Sequence, residues 1–306
     1  MHHKLNSSHL CYEMSSTIAP ALEIDAGDTV QIRTVDCFEN QITAQDMDFD
    51  TVDWSRQNPA TGPVFVRGLS AGDVLKATIE KIELDGRGLV TVGPQGGVMR
   101  DYIEERHVKF FDLDTENNTT EFNGMTVPLN PMIGVIGNAP AAGPVPNSTP
   151  GAHGGNMDCR KMTEGAVLYL PVFHDGALFG LGDVHAKMGD GEVGISGLET
   201  AARVTVRLEK ASGISTNHPV LIDEEGINMM VSRESLDEAV DESVRQMIKL
   251  LRPQTTLSLP EIAMLMSLIG ETQINQVVDP LKTARFFVPY YLLEHYSIDF
   301  GMELKL

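Results

Sequence analysis

From about residue 20 to about residue 220 the chain alternates between short β-branched apolar runs and clusters of Gly, Pro, Asn and Asp. "TVQIRTVDCF" (29–38), "GPVFVRGL" (62–69), "VLKATIEKIEL" (74–84), "AVLYLPVF" (166–173) and "RVTVRLEK" (203–210) are such runs. In the third, Leu75, Ala77, Ile79 and Lys81 fall on one side and Val74, Lys76, Thr78 and Glu80 on the other, the period of a strand with a polar outer face. Strands at this spacing, divided by turn residues, indicate a sandwich or barrel rather than βαβ units.

The helical period comes late. "SRESLDEAVDESVRQMIKLLR" (232–252) puts Leu236, Val240, Val244, Met247, Ile248 and Leu251 on one face. Ser232 or Ser235 can cap its start, acids crowd its first half, and Pro253 stops it. "LPEIAMLMSLIGET" (259–272) opens with a proline suited to a first helical turn and reads as a second, more buried helix. "TARFFVPYY" (283–291) returns to strand. The expected fold is therefore mainly β, with a sandwich- or barrel-like core and a few helices near the C-terminus. "DAGDTVQIRT" (25–34), "SAGDVLKATI" (70–79) and "TEGAVLYLPV" (163–172) echo one another, a weak sign of duplication. We expect one unit over 1–306, with β subdomains of about 1–140 and 141–306 as the alternative division.

Composition narrows the function. With 43 acids against 23 Lys and Arg, the 306-residue chain carries a net charge of −20, which argues against nucleic acid and anionic membranes and suits a site for a divalent cation. The longest apolar stretch, "AMLMSLIG" (263–270), is too short for a membrane span. The N-terminal "MHHKLNSSHL" lacks the apolar core of a secretory signal. Three cysteines, Cys11, Cys37 and Cys159, argue against a disulfide framework and point to a reducing cytoplasm.

The candidate chemistry is concentrated in "GDVHAKMGDGEVG" (182–194), where Asp183, His185, Asp190 and Glu192 stand among four glycines. Asp183 and His185 are two apart, so on an extended chain both face one side and can meet one ion. Mixed imidazole and carboxylate donors fit zinc better than calcium, which takes oxygen. The competing reading is that the aspartates cap turns and His185 is a satisfied core histidine. "NAPAAGPVPNSTPGAHGGNMD" (138–158) is a Gly/Pro-rich loop long enough to suggest function, and it ends in His153 and Asp158. Cys37 and Cys159 each follow an aspartate, a poor setting for thiolate, and read as small buried residues. Trp54, the single tryptophan, reads as scaffold or as a pocket wall, and Asp279, Lys282 and Arg285 as an ion-pair knot.

"VDWSRQNPATGPVFVRGLSAGDVL", "GVIGNAPA", "GAHGGNMDCRKMTEGAVLYLPVFHDGALFGLGDVHAKMGDGEVGISGLE" and "VDPLKTAR" together resemble the acetamidase/formamidase family, which also includes a metal-dependent γ-lactam hydrolase. The resemblance implies a mainly β homo-oligomer, most simply a dimer, that hydrolyses a small carboxamide with a divalent metal, zinc first and a second ion such as calcium as a further option. Metal-activated water is the implied nucleophile. The ligands expected are His153, Asp158 and His185, with Asp36 as an extra carboxylate. Glu192 is expected as general base and acid, Asp183 or Asp190 to orient a ligand, and Glu199 in reserve. The sequence departs from the family's pattern over 85–125, a stretch expected to shape the pocket, so substrate identity does not transfer with the motifs. A cysteine hydrolase using Cys159 and a non-catalytic, metal-stabilised β protein are the two rival classes.

Overall fold

The β-branched runs become the strands of two nine-stranded sheets, the second of them branched. These are seen in a computed structural model that describes residues 1–301. The first sheet runs, in spatial order, through His2–Leu5, Asp28–Arg33, Ala202–Lys210, Val74–Leu84, Val167–Pro171, Val220–Ile222, Gly226–Arg233, Lys282–Pro289 and Glu271–Gln276. The second is built around Phe179–Lys187, which pairs with Met132–Gly137 on one side and with Leu198–Thr200 and Ala60–Arg67 on the other. Both sheets take strands from either side of residue 140, and no sheet boundary falls there.

Alternation decides which core each strand feeds. Leu168 and Leu170 join Val30, Ile79 and Val204 against Ile133, Leu181 and Val184 of the second sheet, forming the sandwich interior. Tyr169, between them, points the opposite way, into a second core under the helices. That core holds Val220, Met229, Phe286 and Val288 beneath α1 (Leu236–Leu251), α2 (Leu259–Ile269) and α3 (Tyr290–His295). One sheet thus serves two interiors, with helices confined to its far end.

Three local expectations need correction, and one offered alternative is decided. In "VLKATIEKIEL" the alternation holds through Ile79 and then slips, because Thr205 faces Lys81 while Val206 faces Ile79. The extra residue is a β-bulge, so Glu80 and Lys81 are both exposed and Ile82 turns inward. Ser235, not Ser232, caps α1, accepting the Glu238 N–H. The most buried line of α1 is Ala239, Ser243, Met247 and Leu251, displaced from the predicted face toward its smaller residues. Finally, α2 is the less covered helix: only Ile262 and Met266 are buried, while Leu268 is 81% exposed.

The three sequence echoes share turn chemistry. Gly27, Gly72 and Gly165 precede strands of the first sheet with φ of +99°, +94° and +91°, a region where a β-carbon is penalised.

Candidate metal centre

Strand pairing assembles the middle of the site. His185 lies directly opposite Glu199 across two antiparallel strands, so their side chains share a face. Its Nε2 stands 3.2 Å from Glu199 Oε2, 3.4 Å from Asp183 Oδ1 and 3.8 Å from Asp158 Oδ1. Asp183 and His185 therefore meet as the two-residue spacing predicts, but on a buried strand rather than in a loop. Gly134 sits on the neighbouring strand where two carboxylates crowd it. A β-carbon there would lie 2.5 Å from Asp158 Oδ1 and 2.6 Å from Asp183 Oδ2.

Loops bring in the remaining acids. Asp158 ends the Gly/Pro-rich segment, Glu192 follows the Gly-bearing turn, and Asp279 comes from the bend before Lys282–Pro289. Asp158, Asp183 and Glu192 hold left-handed φ of +44°, +52° and +46°. Such backbone costs about 1 kcal/mol or more per residue and gathers at functional sites. Asn156 Nδ2 donates to Asp279 Oδ2 at 3.0 Å.

Burial sets the electrostatics. It raises the Asp158 carboxyl to about 7, helped by Asp183, and Glu199 to about 8 with Asp183 adding while His185 opposes. Burial, and then the Asp158 charge, push Glu192 and Asp279 well above the usual carboxylate range. Burial pulls the His185 imidazole down, but Glu199 and Asp183 more than reverse this and hold it well above its ordinary value. Both Asp158 oxygens, His185 Nδ1 and Glu199 Oε2 are buried without a hydrogen-bond partner. Buried polar atoms left unmatched at this density are costly in a finished fold and suit the binding of a cation.

The donor atoms fall into two groups, Asp158–His185–Glu192 and Cys37–Asp183–Glu199, each with its ligand atoms within 4.8 Å of one another. Imidazole, carboxylate and thiol together are donors that zinc or a related divalent ion accepts, so these residues fit such an ion. Glu192, Asp183, Glu199 and Asp279 also line a cavity of about 280 Å³, which gives the acid cluster an outlet.

Other expected residues stand elsewhere. His153 is buried with Nε2 unpartnered and its imidazole lowered to about 4 by burial, and it belongs to neither donor group. Asp36 Oδ1 accepts the N–H groups of Phe38 and Asn40 at 3.0 and 2.6 Å, bending the backbone that carries Cys37. Asp190 pairs with Arg285 through two bonds of 2.9 and 2.7 Å and with Arg160, so it braces the Glu192 loop instead of facing the cluster. Arg285 is consequently no partner of Asp279, and Lys282 donates to the Asp279 backbone carbonyl, so the expected knot does not form. Cys159 lies in the sandwich core, as its reading as a small buried residue requires.

The sequence reading passed over Asp279, Cys37 and Asn156 as functional groups. The first stands in "VDP", inside one of the stretches that carried the family resemblance, and the third stands in "GGNMD" beside Asp158. Cys37 carried no such signal, because its closeness to Glu199 and Asp183 arises only when the sheet closes.

The sequence model of the Acetamidase/Formamidase family matches residues 7–148 and 142–294. A recombinant predicted acetamidase/formamidase from Thermoanaerobacter tengcongensis is 45% identical and superposes with a TM-score of 0.95 over 98% of this chain and 99% of its own. An acetamidase from Bacillus halodurans is 36% identical with a TM-score of 0.92, over 98% and 100% of the two chains. A putative formamidase from Schizosaccharomyces pombe is 26% identical over 61% of this chain, and the match spans 60% of that relative's length.

Proposed function

Because the chain belongs to the Acetamidase/Formamidase family, we propose that it hydrolyses a small carboxamide to the carboxylic acid and ammonia. The observation that carries this reading is the buried His185–acid cluster with unmatched oxygens opening on a small cavity. Asp158 and His185 would hold a zinc or similar divalent ion with Glu192 beside it, and Cys37, Asp183 and Glu199 offer a second set of donors. When bound, such an ion supplies polarisation of the amide oxygen and a lower pKa for water.

The chain's own residues supply the rest. Water oxygen adds to the amide carbon, the carbon–nitrogen bond breaks, and one proton must travel from the water to the departing nitrogen. Glu192 lines the cavity with its carboxyl raised by burial and by Asp158, which makes it a stronger base than an ordinary carboxylate and suits it to take that proton and give it to nitrogen. Asp279 faces the same cavity, and Asn156 fixes its orientation. Cys159 supports no rival nucleophile: it is buried, does not line the cavity, and burial raises its thiol. The family resemblance extends the proposal to a homodimer and a cytoplasmic setting. Among the described residues no helix is long and apolar enough to cross a membrane.

The test is metal content per chain together with ammonia release from formamide and acetamide, before and after chelation. About one or two zinc ions per chain, with activity lost on chelation and restored by zinc, is the expected result. Undiminished turnover in metal-free protein overturns the metal assignment, and bound metal with no amide turnover overturns the reaction.

A further inference from the structure

The cavity that receives the four carboxylates has one cationic side chain in its wall among the described residues, Arg106. Arg106 lies within the 85–125 stretch where the sequence departs from the family's pattern. Its guanidinium stacks 4.1 Å from the Trp54 ring, with Phe49 at 6.0 Å, and Trp54 is itself propped edge-on by Phe38 at 6.2 Å. Stacking fixes the plane of a guanidinium and leaves its N–H edge directed sideways. One bond from that edge, to Thr91 Oγ1 at 3.2 Å, is made by the protein. No carboxylate among the described residues pairs with it, in a chain with 20 more acids than bases. A half-buried, ring-clamped arginine with free donors is the usual means of holding a carboxylate through two parallel bonds.

We propose that Arg106 binds a carboxylate at the far end of the substrate, so that the preferred amides are half-amides of short dicarboxylic acids rather than neutral formamide or acetamide. The inference rests on the amidase reading above and names its substrate class. Charge then orients the ligand. The carboxylates in the cavity wall repel the ligand's carboxylate and Arg106 attracts it, which leaves the amide end toward Glu192 and Asp279. A cavity of about 280 Å³ lies just below the range of roughly 300–1,000 Å³ that holds drug-sized ligands, which suits so short a molecule.

The single tryptophan gives a binding signal independent of turnover, because Trp54 touches Arg106. Malonate and succinate should change Trp54 fluorescence saturably, acetamide at equal concentration should not, and the signal should vanish in Arg106→Gln. In the zinc-loaded enzyme, kcat/KM for malonamate or succinamate should exceed that for acetamide by about tenfold or more. That ratio should collapse about tenfold in Arg106→Gln and partly survive in Arg106→Lys, which keeps the charge but loses the fork. Acetamide turned over as well as the half-amides, or a ratio unmoved by Arg106→Gln, overturns the carboxylate site and leaves the amidase reading standing. Saturable dicarboxylate binding with no turnover of any amide keeps the carboxylate site and overturns the amidase reading. No fluorescence response together with no preference removes the site altogether.

Discussion

Glu192 combines three properties that rarely coincide by accident: a left-handed backbone, burial, and a carboxyl raised well above its ordinary range by desolvation and Asp158. If it carries the proton to nitrogen, Glu192→Gln keeps the size and loses about 10²- to 10⁴-fold in kcat, read as ammonia release. Gly134 makes a sharper test of geometry, since it is outside the chemistry and its missing side chain is what allows Asp158 and Asp183 to approach. Gly134→Ala should weaken zinc binding by at least about tenfold and cost about 1–3 kcal/mol of stability, by calorimetry and melting. For the thiols the expectation is negative: native Cys159, fully buried with its thiol raised, should resist iodoacetamide under conditions that leave amide turnover intact.

At the scale of the element, the brace behind the Glu192 loop matters as much as the acids in front. Arg285, on the strand Lys282–Pro289, reaches Asp190, Asn275 and Gln273, and Asn275 in turn holds the Met157 carbonyl. One guanidinium thereby ties the loop of Glu192 to the segment that delivers Asp158. Arg285→Met should destabilise the fold by about 3 kcal/mol, the low end for breaking a buried pair because Asp190 is 31% exposed, as measured by denaturant unfolding. Elements were the scale most legible in the sequence. Strand runs, the late helices and the pairing of Asp183 with His185 followed from period and spacing alone. The bulge at Glu80 was not legible, because it is specified by the partner strand's register and not by the run itself. Nor was the exposure of α2, since an apolar composition states what a helix could bury and not what stands beside it. Asp190 and Glu192, two apart like Asp183 and His185, diverge because a turn lies where a strand was needed.

For the whole molecule, the consequence of gathering so many acids in one place is a characteristic dependence on pH. Asp158 and Glu199 have folded pKa values of about 7 and about 8, against roughly 4 in an unfolded chain. Between those limits the folded state binds more protons, so stability must fall as pH rises. Metal-free protein should therefore melt at a lower temperature at pH 8 than at pH 5.5, and zinc should flatten the slope by taking the protons' place. A metal-free melting temperature that climbs over this window would mean that the acids are not buried together. The overall arrangement that produces this was only half readable: two glycine-rich segments and "VDP" supplied the residues, but their convergence depends on two sheets drawn from the entire length of the chain.

That same interleaving fixes an order of events during synthesis. Asp36 and Cys37 leave the ribosome early, and at about 5–20 residues per second they wait for the segment bearing Asp279 and Arg285, far along the chain. Until it arrives, a nascent chain can pair most of its strands yet cannot shut the acid cluster away from water. The acid cluster is thus completed late, and a chain released short of residue 285 lacks the guanidinium that braces the Glu192 loop.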